Sequence, residues 1–291
     1  MKKIILYTAL SVASLFADVT TVLPFAGAIK YDADKAKSIK DRSSLYGVYA
    51  NIGDLSYLLE LSYTRFTAKY KTNTPYGKIE DLQQDDITLA YAQYFKNFML
   101  RGGVHYINTN DIFLDNGIIV FAGVGGYNYV NYDKYSYGIE SYYSSYKDGM
   151  DDADVKKSIS IMQFTPYFSA YNVLGTNWGN LFSLKLNYQM TGDYTKDSYI
   201  SYEASETLYY KSLFFVIKGY AGEMKTGVKD GGLTVMNTLD LMKNGYGFGV
   251  GYYLIPSGTL SLNYELNNYR EYKMQEDGMS AVASFSFAYK F

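Results

Sequence analysis

The chain ends on Gly278–Phe291, GMSAVASFSFAYKF, and that stretch decides how the rest is read. Phe285, Phe287, Tyr289 and Phe291 alternate with Ser286, Ala288 and Lys290. Successive strand side chains point to opposite faces, so an extended chain here carries an aromatic face and a small or polar one. The same period of two recurs upstream. Tyr57, Leu59, Leu61 and Tyr63 stand against Leu58, Glu60, Ser62 and Thr64. Phe98, Leu100, Val104 and Tyr106 stand against Met99, Arg101, Gly103 and His105. Phe182, Leu184, Leu186 and Tyr188 oppose Ser183, Lys185, Asn187 and Gln189, and Leu260, Leu262, Tyr264 and Leu266 oppose Ser261, Asn263, Glu265 and Asn267. In Asn244–Leu254 the second face is all glycine, Gly245, Gly247, Gly249 and Gly251. These runs are about twice as long as the strands of roughly 5–6 residues usual in soluble sandwiches.

Composition narrows the class. The 291 residues hold no Cys, one His and 35 Tyr, with an aromatic content of 18%. Without Cys there are no disulfides, thiolate metal sites or thiol nucleophiles. A net charge of −2 without basic runs argues against a nucleic-acid partner. Apolar content of 48% is too high for a disordered chain.

The start of the chain reads as an export signal: Lys2 and Lys3, then the apolar run Ile4–Phe16, then Ala17. The run is too short to cross a bilayer as a helix. Cleavage after Ala17 would leave residues 18–291 as one domain with a charge of −4. The signal, the long alternating strands and the aromatic terminus together resemble bacterial Gram-negative outer-membrane β-barrel proteins. Size and strand number are similar to those of the monomeric general porins. The resemblance implies an all-β, transmembrane, antiparallel up-and-down barrel in the cell outer membrane. There it would sit as a monomer among outer-membrane lipids and lipopolysaccharide.

Counting back from Phe291 and requiring an even number gives fourteen strands, with 12 and 16 as the neighbouring counts. The last are Gly278–Phe291, Gly258–Tyr272, Asn244–Leu254, Thr207–Gly222 and Asp197–Glu206, and Thr20–Tyr31 closes the set. The connections then alternate between tight ones such as Gly53-Asp54 and Lys96-Asn97 and longer, charged ones such as Lys71–Gln84 and Glu223–Lys243. That is the pattern of short periplasmic turns and long outer loops. Pro24 and Pro166 fall inside strands and should mark bulges or strand ends. Leu233–Met242 reads as a short helix or a protruding hairpin.

The parity that sends Tyr, Phe and Leu outward sends charges inward. The expected pore lining is Glu60, Arg101, Glu140, Lys185, Glu203 and Glu265, with Asp86 and Lys134 on the same face. Opposite charges in a water-filled lumen set selectivity, so the expected function is passive diffusion of small hydrophilic solutes or ions. The alternative is a non-conducting barrel whose lumen is bridged by paired charges and whose outer loops serve adhesion or surface recognition. The long connection Glu223–Lys243 is the candidate for a constriction or gate. The glycine row beside it suits close approach of a neighbouring Tyr or of that loop, or serves structurally by relieving curvature strain. No catalytic site, metal site or cofactor is expected. His105 stands alone on the lumen face, and the acidic loop Asp148, Asp151, Asp152, Asp154 lacks EF-hand spacing.

Overall fold

The computed structural model describes residues 19–31, 39–71, 80–111, 114, 116–130, 133–150, 156–192, 194, 196–255, 257–272 and 277–291. The expected export segment, and Asp151, Asp152 and Asp154 of the acidic loop, lie outside these residues.

The strands are β1 (Val19–Tyr31), β2 (Lys40–Gly53), β3 (Tyr57–Tyr70), β4 (Leu82–Tyr94), β5 (Phe98–Thr109), β6 (Gly117–Val130), β7 (Asp133–Met150) and β8 (Lys156–Val173). They continue as β9 (Trp178–Thr191), β10 (Ser198–Tyr210), β11 (Leu213–Lys225), β12 (Val228–Lys229), β13 (Thr234–Val235), β14 (Leu241–Ile255), β15 (Gly258–Arg270) and β16 (Asp277–Lys290). Fourteen of them form one closed antiparallel barrel, while β12 and β13 make a separate small hairpin. Closure comes from β1 pairing with β16, Val22 opposite Tyr289 and Tyr31 opposite Ser280. A closed sheet leaves no unpaired edge, which is the condition for strands to stand in hydrocarbon.

Outward side chains are apolar around the whole wall. Leu89, Val120, Leu184, Val250, Leu262 and Phe285 are each 39–53% exposed. Aromatic rings gather at the end with the short connections: Phe95 stacks on Phe98 at 4.4 Å, Trp178 lies 4.4 Å from Tyr210, and Tyr289 lies 4.8 Å from Phe291. An apolar belt this continuous is foreign to a monomer in water, and a belt with an aromatic rim matches a bilayer and its interface.

Two sequence expectations need correction. The β10–β11 boundary is not between Glu206 and Thr207. β10 runs on to Tyr210, and the turn is Lys211-Ser212, with Lys211 at φ 52°. No Gly, Asn, Asp or Pro advertises that turn, and the alternation passes through it. Nor do the prolines end strands or make bulges. Pro24 keeps its place opposite Val48 on β2, and the β1–β16 ladder has a gap from Val22 to Phe25 with its register unchanged. Pro166 likewise stays opposite Ile139 on β7, with a gap from Phe164 to Tyr167 toward β9. In an antiparallel sheet one residue directs both its N–H and its C=O to the same neighbour. A missing donor therefore interrupts one ladder and leaves the other whole.

Candidate functional site

The lumen is organised by the longest connection, residues 226–240 between β11 and β14. It neither forms a helix across Leu233–Met242 nor protrudes. It turns into the barrel. A bulge between Ala221 and Met224, with Gly222 at φ 103°, redirects the chain off the wall. The innermost point is a short 3-10 turn, Asp230–Gly232, whose three residues all have left-handed φ of 49°, 65° and 90°. Gly231 and Gly232 take that conformation at little cost, and Asp tolerates it better than most residues. Space demands glycine as well: a Cβ at Gly232 would stand 2.5 Å from the Phe121 ring, and one at Gly231 2.8 Å from the Arg101 guanidinium.

The loop is tied to the wall on several sides. Gln163 on β8 donates Nε2–H to the Val228 carbonyl at 2.7 Å and accepts the Val228 N–H at 3.0 Å. Gln189 accepts the Lys225 N–H at 3.0 Å. Asn237 donates to Gln84 at 2.8 Å, and Lys40 on β2 pairs with Asp240 where the loop rejoins the wall. His105 Nδ1 lies 3.1 Å from the Gly232 carbonyl oxygen and 2.7 Å from Thr88 Oγ1. A carbonyl only accepts, so the imidazole that anchors the loop carries its proton on Nδ1. Its Nε2 faces Asp86 at 3.8 Å. His105 is 1% exposed and holds the loop in place.

At the depth of the 3-10 turn, three of the expected lining residues meet. Arg101 donates Nε–H and Nη2–H to the same Glu60 oxygen at 3.0 and 2.8 Å, and its Nη1 lies 3.5 Å from Glu140. Nη1 also donates to the Gly231 carbonyl. Two features let a side chain on β5 reach strands on both sides. Toward β3 the intervening inward residues on β4 are Ala90 and Ala92, the latter opposite Arg101. Toward β7 the intervening residue is Gly123, opposite both Arg101 and Glu140. A Cβ at Gly123 would sit 3.1 Å from Glu140 Cγ. The guanidinium also lies over the Phe121 ring, 5.1 Å from its centroid. Two carboxylates against one guanidinium leave this layer with an excess of negative charge.

The other three expected residues face the barrel interior elsewhere. Glu203 on β10 pairs with Lys229 of the loop at 3.3 Å, and Glu265 on β15 pairs with Lys218 on β11 at 2.5 Å across Gly247. Lys185 stands opposite Glu203 in register. With Lys134, Ser136, Glu140 and Tyr167 it lines a cavity of about 320 Å³ on the short-turn side of Gly231. The glycine row on β14 is crossed by side chains of its neighbours. Tyr220 and Asn267 reach over Gly245, Asn263 over Gly249, and the Phe214 ring over Gly251.

Sequence parity did not reveal that one sector of the inner wall is apolar. Ile107, Ile119, Phe121, Tyr142, Ile159 and Ile161 face inward and pack as a buried cluster that includes Val228 and Leu239 of the loop. The signal was present in Ile118–Phe121, apolar at every position, because a strand with both faces covered loses its alternation. The partners Lys218 and Lys229 were also not legible. Pairing across strands depends on register, and Lys229 comes from a connection. Among the described residues no group of three or more His, Asp or Glu is placed to hold a metal ion.

No family model matches this chain, and no curated protein does. Solved structures do resemble it. The CymD monoaromatic hydrocarbon channel superposes with a TM-score of 0.56 at 6% identity, over 97% of this chain and 90% of that one. The Ralstonia pickettii toluene transporter TbuX gives 0.52 at 6% identity, over 96% and 91%. The P. putida toluene transporter TodX gives 0.52 at 9% identity, over 97% and 92%. At such identities the likeness is one of fold: a closed antiparallel barrel.

Proposed function

We propose that this chain is a porin-like channel of the bacterial outer membrane, through which small hydrophilic solutes or ions diffuse passively. The observation that carries the reading is the layer where Arg101 faces Glu60 and Glu140 beside the tip of the inward loop. Charges of both signs at a constriction attract ions and orient dipolar solutes, while the apolar outer belt holds the barrel in lipid. Lys185, Glu203 and Glu265 extend the charged lining on the other walls, where Lys229 and Lys218 balance the two glutamates. The barrel works as a monomer in contact with lipids and lipopolysaccharide, without a cofactor and without catalysis.

The test is single-channel recording of refolded protein in a planar bilayer under a salt gradient. Discrete conductance steps with a modest cation preference are expected. A correctly folded barrel that stays silent would reject the channel and leave a non-conducting barrel whose outer loops act in adhesion or surface recognition. The apolar sector of the inner wall favours a second reading, passage of small apolar molecules, for which the toluene transporters TbuX and TodX are named. Uptake of a hydrophobic dye into liposomes without ion conductance would select it.

A further inference from the structure

Between the loop and the wall lies a cavity of about 530 Å³, within the size range of small-molecule sites. Its walls belong to β1–β4 and β14–β16 at the end with the long connections, and the loop forms its floor and one side. Here β1 reverses the usual parity. Phe25 and Ile29 turn inward, while Pro24, Ala26, Ala28 and, at the outer end, Lys30 are the exposed positions. Leu45 and Phe66 continue this inner face, and Leu233 and Met236 oppose it from the loop. A strand that spends its large apolar side chains on the lumen and its small ones on lipid is shaped for contents that are themselves apolar.

Among the described residues the lining carries more carboxylates than cations. Lys40 is the one cationic side chain among the described residues lining the cavity, and it is committed to Asp240. Asp86, Asp111, Asp230 and Glu271 line it as well. Asp86 receives both of its described hydrogen bonds from the neutral Gln84, at 3.0 Å each, and Glu271 accepts the Ile39 N–H at 3.1 Å. Carboxylates around a low-dielectric chamber focus a negative potential into it. Such a potential opposes anions, and a cation with an apolar body would gain from both halves of the lining. The rings of Tyr31, Tyr49 and Tyr70 on the same wall supply faces that favour cations.

We propose that this cavity binds small amphipathic amines, molecules with a single ring or short aliphatic body and one protonated amino group. The proposal rests on the channel reading only in taking the cavity as a station on the solute path, because binding is measured without conduction. The experiment is calorimetric titration of the refolded, full-length barrel in detergent, with empty micelles subtracted. The probes are benzylammonium, benzyl alcohol and benzoate, which share a ring and differ in head group. Benzylammonium is expected to bind at one site, at least tenfold tighter than the other two. Leu45→Trp, which fills the chamber, should abolish that binding, with Val282→Phe as a second filling variant should the first not fold. Heat-modifiable electrophoretic mobility reports folding for both. Equal binding of benzoate or benzyl alcohol overturns the proposal. So does the absence of saturable binding, or binding that survives in a folded filled variant. A barrel that binds benzylammonium yet never conducts would sink the channel and keep the site, and one that conducts without binding would do the reverse.

Discussion

Arg101 and Glu60 stand on strands that share no hydrogen bond, with β4 between them, yet their side chains meet at 2.8 Å. The contact exists because β4 presents Ala90 and Ala92 to the lumen, where any longer side chain would lie in the path. Small residues on one strand thus determine which charges on its neighbours can pair. Gly123 does the same on the other side for Glu140.

That relationship predicts how selectivity changes. Arg101→Ala leaves Glu60 and Glu140 facing each other near the loop tip without a counter-charge. The reversal potential in a tenfold salt gradient should move toward cation selectivity. Glu60→Gln should move it the other way, by less, because Glu140 still balances the guanidinium. Equal reversal potentials for wild type and both variants would mean that ions do not pass this layer.

Removing the loop should open the barrel without unfolding it. β11 and β14 pair directly from Ala221–Asn244 to Leu213–Tyr252, so replacing residues 227–238 with a short Gly-Ser linker spares the wall. Conductance should rise severalfold in the recordings that establish the channel. An unchanged conductance would show that the loop is not the constriction.

The glycine row makes a packing prediction. A Cβ at Gly251 would stand 1.9 Å from Phe214 Cζ, and the Phe214 ring is wedged between Tyr209 and Tyr253 with centroids at 6.2 and 5.6 Å. Gly251→Ala should therefore cost about 1–3 kcal/mol of stability, the usual range for overpacking. Adding Phe214→Ala should make the double variant less destabilised than the two changes summed, as contacting residues couple. Urea midpoints of the refolded barrels measure both quantities.

Orientation relative to lipid is tested on the outer face. Val124 is mid-strand and 48% exposed. Val124→Arg should destabilise the barrel in bilayers by about 2–4 kcal/mol, the cost of a basic side chain at the midplane. The same substitution in a detergent of short chain should cost less. Equal, small effects in both would count against a membrane belt at this height.

The β2–β3 turn predicts a pH dependence. Asp54 accepts hydrogen bonds from Ser56 Oγ at 2.7 Å, Ser56 N at 2.6 Å and Tyr57 N at 3.1 Å. These bonds, the Ser56 hydroxyl foremost, hold its carboxyl below the usual value of 3.8. A depressed folded-state pKa stabilises the fold above the unfolded value, and the contribution is lost as pH falls through the folded value. Asp54→Ala should thus lower the unfolding midpoint at neutral pH. The gap to wild type should close below about pH 3.8, which a urea series across pH will show.

Much of this architecture is local and so is written in the order of residues. Period-two alternation, read from Phe291 backwards, determines a barrel of fourteen strands, which face of most strands meets lipid, and which end bears the long connections; β1, with Phe25 and Ile29 turned inward, departs from it. It also places Glu60, Arg101, Glu140, Lys185, Glu203 and Glu265 on the lumen side, because parity depends only on a residue's position along its own strand. What parity cannot carry is anything that depends on register or on a connection. The meeting of Arg101 with Glu60 and Glu140 needs the stagger of five strands and the small residues between them. Lys229 reaches Glu203, and Gly231 reaches Arg101, only because residues 226–240 turn inward. The turn at Lys211-Ser212 and the survival of both proline strands were likewise settled by partner strands supplying the hydrogen bonds. Alternation along the chain decided which residues face the lumen, and closure of the barrel around its own loop decided which of them touch.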